Sequence, residues 1–169
     1  LTVYLTHGTY AVAARRQASL PECRMVDGDT PFAVGGLEIR PFSVPHDARE
    51  PIQYAFSDGQ HRLGVLTDTG AITPHIVNVL HSCDALVLEC NHDQALLAGS
   101  RYPAALKRRV GGRFGHLENG QAAALLGQVD TRRLQHLVAA HLSRENNRPE
   151  LAARALASTL GCSEHWIGV

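Results

Sequence analysis

RLGVLTDTG, residues 62–70, is the stretch on which the reading of this chain turns. Residues 63–67 form a short apolar run suited to a buried strand, and Asp68 arrives where that run ends. One explanation is turn chemistry: an aspartate ahead of a glycine bonds its own backbone, and glycine accepts positive φ. The other is a ligand, because α/β proteins gather their working side chains just beyond the carboxyl ends of strands. Asp68 alone leaves both open, and the residues around it must choose.

Working outward, the pattern repeats. Residues 52–67 read as strand, Asp58-Gly59 turn and strand, and 31–44 as two strands around Gly35-Gly36. Val3–Leu5 reads as a short strand, and 8–17 as a helix closed by Arg15 and Arg16. Downstream, Thr73 and Pro74 open a helix by cap chemistry, and 84–90 is a continuous apolar strand. Helices are predicted over 103–110, 119–127 and Pro149–Leu160, with one more strand over 137–140. Strands first, then strands alternating with helices, make an α/β layered fold rather than a bundle.

The chain has 169 residues, enough for one domain with a core, and 44% of them are apolar. Acidic and basic residues number 16 each, so no global charge steers the chain toward nucleic acid or an anionic membrane. No apolar run approaches the ~20 residues of a membrane span. Four cysteines, at 23, 83, 90 and 162, form no C-x-x-C pair; a reducing cytoplasm fits them. The chain begins at Leu1 and its one methionine is Met25, which suggests a piece of a longer product.

Ten histidines are an unusual number, and several fall where strands end. His46 follows one strand, Asp68 the next, Glu89 ends a third with His92 close behind, and His141 follows the last. Imidazole nitrogens with a carboxylate oxygen are donors that zinc, manganese and iron accept. A single histidine after a strand is commonly just a loop residue. Three or four strands each ending in His, Asp or Glu are hard to assign to turn chemistry.

The order SVPHD (43–47), TDTG (67–70), LECNHD (88–93), GHLEN (115–119) and AHLSRENN (140–147) resembles metallo-β-lactamase-fold hydrolases. Within them it is similar to the bacterial YycJ/WalJ-type branch, related to tRNase Z and to two-metal phosphodiesterases. The resemblance runs from VYLTHGT (3–9) to the last helix. It implies an α/β fold, the metallo-β-lactamase αββα sandwich, with 1–169 as the C-terminal portion of one domain. The family's H-x-H-x-D-H metal motif is absent from these residues, and N-terminal truncation is the expected reason. The chain alone is then expected to be inactive.

The resemblance further implies two divalent ions, zinc foremost with manganese or iron as alternatives. His46 and His141 would be ligands and Asp68 the bridging carboxylate. Glu89 and His116 would form the pair that protonates the leaving group, with His92 lining the site. Metal-activated hydroxide would attack phosphorus in line, making the complete protein a nuclease or phosphodiesterase. Ser143, Asn146 and Asn147, directly after a ligand, would hold phosphate oxygens. A nucleic acid or small phosphodiester substrate needs basic surface, and Arg101, Lys107, Arg108, Arg109 and Arg113 cluster between Glu89 and His116. A solvated helix face is the plain alternative for that cluster. For the chain as a whole the alternative is a non-catalytic or degenerate module of the same fold. Acyl or thioester hydrolysis is weaker still, since it needs no counterpart of Glu89 and His116.

Overall fold

Three antiparallel pairings followed by two parallel crossovers build the main sheet. The computed structural model describes residues 1–16 and 19–169. A small parallel sheet comes first, from β1 (Val3–Leu5) and β2 (Cys23–Met25), joined by α1 (His7–Arg16). The predicted end of that helix at Gln17 lies outside the described residues. Then β3 (Phe32–Val34), β4 (Leu37–Ser43), β5 (Ile52–Ser57), β6 (Arg62–Leu66), β7 (Ala85–Glu89) and β8 (His136–Ala140) pair in sequential order as one six-stranded sheet. β4 is antiparallel to β5 and β5 to β6, while β6, β7 and β8 are parallel. The carboxyl ends of β4, β6, β7 and β8 therefore share one edge.

Side-chain alternation sorts the sheet into two faces. Leu66, Leu86, Leu88, Leu137 and Ala139 are buried in one core with residues of α2 (Pro74–Leu80), α5 (Asn119–Leu126) and α6 (Pro149–Leu160). Alternate residues Leu63, Val65, Ala85 and Val87 are only half-buried, and Val138 is exposed.

Local chemistry explains the helix ends. The Thr73 hydroxyl accepts from the Ile76 N–H and Pro74 opens α2. α5 starts with a capping box between Glu118 and Gln121, and α6 stops at Gly161, with φ of 65°. Three elements lie outside the sequence expectations: β2, a short helix α3 (Gln94–Gly99) capped by Asp93 ahead of α4 (Ala104–Val110), and a 3₁₀ turn over Glu164–Trp166.

Candidate functional site

The shared edge collects the predicted polar residues. His46 lies in the loop after β4, Asp68 just past β6, Glu89 is the last residue of β7, and His141 directly follows β8. Asp68 and His141 both take left-handed backbone, with φ of 51° and 58°. For residues other than glycine this costs on the order of 1–3 kcal/mol each, and such strain tends to cluster at working sites. It turns each side chain sharply off its strand onto the edge.

Distance alone would group Asp68, Glu89, His116 and His141, whose donor atoms all lie within 4.8 Å of one another. Hydrogen bonding separates them. The Glu89 side chain is fully buried, and both of its oxygens are occupied. Oε1 accepts from His116 Nδ1 at 2.8 Å and from His141 Nδ1 at 2.7 Å. Oε2 accepts from the backbone N–H groups of Thr69 at 3.0 Å and Leu117 at 3.3 Å. Burial opposes charge on this carboxyl, but the bonds from His116, His141 and Thr69 outweigh it and bring its pKa down to about 2. Glu89 is a charged brace for two imidazoles, with no lone pair aimed at the open edge.

The same bonds fix the rings. His141 gives its Nδ1 proton to Glu89, which leaves the Nε2 lone pair free, 3.8 Å from Asp68 Oδ1. The bond to Glu89 also raises the pKa of His141. His46 gives its Nδ1 proton to the Gly115 carbonyl at 3.0 Å, and its Nε2 stands 3.7 Å from the same Asp68 oxygen. Donors bound to one tetrahedral zinc at 2.0–2.2 Å lie roughly 3–4 Å apart. Two imidazole lone pairs facing one carboxylate oxygen, each ring braced through its far nitrogen, fit a divalent metal ion. His46, Asp68 and His141 are the residues here that would hold it.

His116 differs. Its Nδ1 is committed to Glu89, which turns its Nε2 away from that carboxylate. Its ring stands edge-on between His46 and His141, at centroid distances of 5.1 and 5.2 Å. Its side chain is 22% exposed. An imidazole oriented by a buried carboxylate, with its far nitrogen free, is arranged to carry a proton.

The other expectations fare variously. His92 is buried with its Nδ1 unpartnered among the described residues, and burial, followed by the nearby charge of His116, lowers its pKa. It sits behind the edge as a neutral ring. Asn146 and Asn147 turn inward, contrary to the phosphate-holding role expected of them. Asn147 bonds the Cys90 carbonyl and the Asn119 side chain, and the buried Asn146 amide has no partner among the described residues. The cause is local: Ser143 curls the chain back, its hydroxyl accepting the Asn146 N–H and its carbonyl the Asn147 N–H. Ser143 itself is half-buried, and Arg101 is exposed beyond α3. In the basic cluster, Lys107 donates to the Ala98 carbonyl and Arg109 pairs with Asp47. Burial and the charge of Glu89 push the Cys90 thiol up to about 12, so it offers no thiolate.

Two residues escaped the sequence reading. Asp47 puts Oδ1 3.6 Å from His46 Nε2, and its bond from Arg109 holds its carboxyl below the usual range. Asn91 donates from Nδ2 to the His141 carbonyl at 2.9 Å, and its own carbonyl accepts the Ser143 N–H. Adjacency to His46 was a usable signal for Asp47. Nothing local marks Asn91.

Comparison with known proteins identifies relatives of the chain and of its fold. Exodeoxyribonuclease YycJ of Bacillus anthracis is 39% identical over 126 residues, covering 75% of this chain and 48% of that protein. Exodeoxyribonuclease WalJ of Streptococcus pneumoniae serotype 2 is 32% identical over 135 residues, covering 80% and 50%. The chain thus spans about half the length of the curated relatives it matches. Among solved structures, zinc-bound PqqB of Methylobacterium extorquens superposes with a TM-score of 0.67 at 21% identity, over 100% of this chain and 59% of that one. The short form of human tRNase Z gives 0.58 at 15% identity, over 85% and 60%. The family model described as the beta-lactamase superfamily domain matches residues 1–141, and the chain belongs to that superfamily.

Proposed function

We propose that the protein carrying this chain is a metal-dependent phosphodiester hydrolase acting on nucleic acid, with exodeoxyribonuclease activity like that named for its relatives YycJ and WalJ. The observation that carries this reading is the sharing of one buried Glu89 oxygen by His116 and His141, while the far nitrogens of His141 and His46 stand 3.8 and 3.7 Å from the same Asp68 oxygen. It sets a proton carrier beside a metal-binding set, the combination that cleaving an unactivated phosphodiester needs. Acyl transfer from a good leaving group does not need it.

Divalent ions, zinc foremost, would supply Lewis acidity toward phosphate oxygens and acidify water at this edge. Asp68, near both histidines, would be the carboxylate that two such ions share. His116 stands beside that set to protonate the departing oxygen, and Glu89 stabilises the imidazolium from which the proton leaves. Further donors, of the H-x-H-x-D-H kind, would come from sequence outside these 169 residues. The four free cysteines suit a cytoplasmic protein. No helix is long and apolar enough to cross a membrane among the described residues.

The test is hydrolysis of bis-p-nitrophenyl phosphate and of end-labelled oligodeoxynucleotides by the metal-loaded protein that carries this chain. Metal-dependent shortening of the labelled strand, abolished by Asp68→Ala, is expected. Turnover of thioesters or lactams with no phosphodiester cleavage would refute the reading.

A further inference from the structure

An exposed ion pair adds little to stability, about 0–1 kcal/mol. The pair of Arg109 with Asp47 is of that kind, with the Arg109 side chain 68% open to solvent, yet it joins residues 62 apart at the rim of the candidate site. Asp47 divides its carboxylate between two neighbours. Oδ2 accepts from Arg109 Nε, and Oδ1 stands 3.6 Å from His46 Nε2, the nitrogen that would bind metal. One carboxylate therefore separates the guanidinium from a candidate ligand atom. Arg109 is anchored at its backbone as well. Its carbonyl accepts the Gly112 N–H at 3.3 Å, and a Cβ on Gly115 would lie 2.2 Å from that carbonyl oxygen. The loop that delivers His116 thus packs directly on the Arg109 backbone, and the Asp47 N–H is held by the Phe114 carbonyl of the same loop at 2.9 Å. The fork of the guanidinium remains unspent: neither Nη group of Arg109 makes a hydrogen bond among the described residues.

We propose that Arg109 is a catalytic residue whose Nη groups bind a non-bridging oxygen of the scissile phosphate, and that Asp47 is the positioning residue that aims it. The proposal rests on the phosphodiester reading above and names the side chain that meets the phosphate. A guanidinium is permanently charged, and its planar donors match phosphate oxygens. Fixed cations aimed at those oxygens stabilise the charge that develops on them in the transition state. The tether through Nε matters because a side chain already held loses less freedom on binding than one free in solvent.

The test uses the metal-loaded protein that carries the whole chain, as wild type, Arg109→Ala and Arg109→Lys. Two quantities are measured: binding of inorganic phosphate by isothermal titration calorimetry, and kcat/KM on bis-p-nitrophenyl phosphate, in which the scissile phosphate is the one phosphate present. Both should fall by about 10- to 150-fold in Arg109→Ala, the range for one hydrogen bond to a charged group, with metal content unchanged. Arg109→Lys should recover only part of the loss, since an ammonium lacks the fork. Millimolar guanidinium added to Arg109→Ala should restore part of its turnover. If Asp47 acts through Arg109, Asp47→Ala should cost little in the Arg109→Ala background; fully additive losses would end its positioning role. Phosphate binding unchanged in Arg109→Ala would overturn the contact. So would a loss confined to oligodeoxynucleotides, which would put Arg109 on a flanking phosphate, or a loss of metal, which would make it a strut for the His46 loop. Failure of the catalytic reading looks different: a wild type that hydrolyses neither substrate but binds phosphate through Arg109 leaves the contact standing.

Discussion

Two loops each deliver a histidine to the same oxygen of Glu89, and they are built differently. The loop of residues 111–117 holds His116 through backbone-to-backbone bonds and glycine close packing, as at Gly112, Gly115 and Gly70. The turn of residues 141–147 adds buried asparagine side chains to its backbone bonds, with Asn91 on the His141 carbonyl and Asn147 tied to Cys90 and Asn119. A backbone frame survives most substitutions. A side-chain frame can be removed one amide at a time. Metal binding by His141 should therefore be open to second-layer substitutions that leave the placement of His116 alone.

The widest effect should come from the residue the two loops share. Glu89→Gln removes the charge that orients both imidazoles, so it should weaken metal binding by the 10- to 100-fold typical of outer-layer partners and cut turnover further. Metal titration combined with steady-state kinetics reads both losses. An effect on turnover alone would mean that the bond to His141 is idle. His116→Ala should break only one arm. Metal content should hold, while turnover on phosphodiesters with poor leaving groups falls by ~10²–10⁴-fold. The loss should shrink when p-nitrophenolate leaves, since it departs without a proton.

Asn91→Leu tests the side-chain frame directly. It should lower metal affinity, as judged by competition with a chelating dye, with a smaller effect on turnover at saturating metal. Equal loss of affinity on truncating an exposed side chain of the other loop, as in Arg113→Ala, would erase the contrast between the loops.

The smallest effect expected is on stability against pH. The Glu89 carboxyl is depressed from 4.5 to about 2 in the fold, so the stability it contributes is full above pH 4.5 and fades as pH falls toward 2. In EDTA, the stability gap between wild type and Glu89→Gln should close over that window. A gap independent of pH would mean that Glu89 is not ionised there.

Much of this edge was legible in the sequence because each donor sits at the end of an apolar run. Strand ends are local signals, and the parallel topology then lines them up. Helices α2 and α6 were legible for the same reason, through Thr73, Pro74, Pro149 and Gly161. β2 was not: Cys-Arg-Met carries no alternation of its own and is a strand only because β1 pairs with it. α3 carries a local signal of its own, Asp93 capping a short apolar turn. The double duty of Glu89 joins residues 52 apart along the chain, and no spacing announces it. Asn146 and Asn147 misled because following a ligand in sequence says nothing about which way a tight turn points its side chains.

The central claim is that His46, Asp68 and His141 bind metal while His116 stays outside the coordination sphere. Anomalous diffraction from crystals of the metal-loaded protein tests it most directly. The account predicts density within about 2.0–2.2 Å of His46 Nε2, an Asp68 oxygen and His141 Nε2, with His116 Nε2 beyond bonding distance. A metal ligated by His116, or none between His46 and His141, would contradict it.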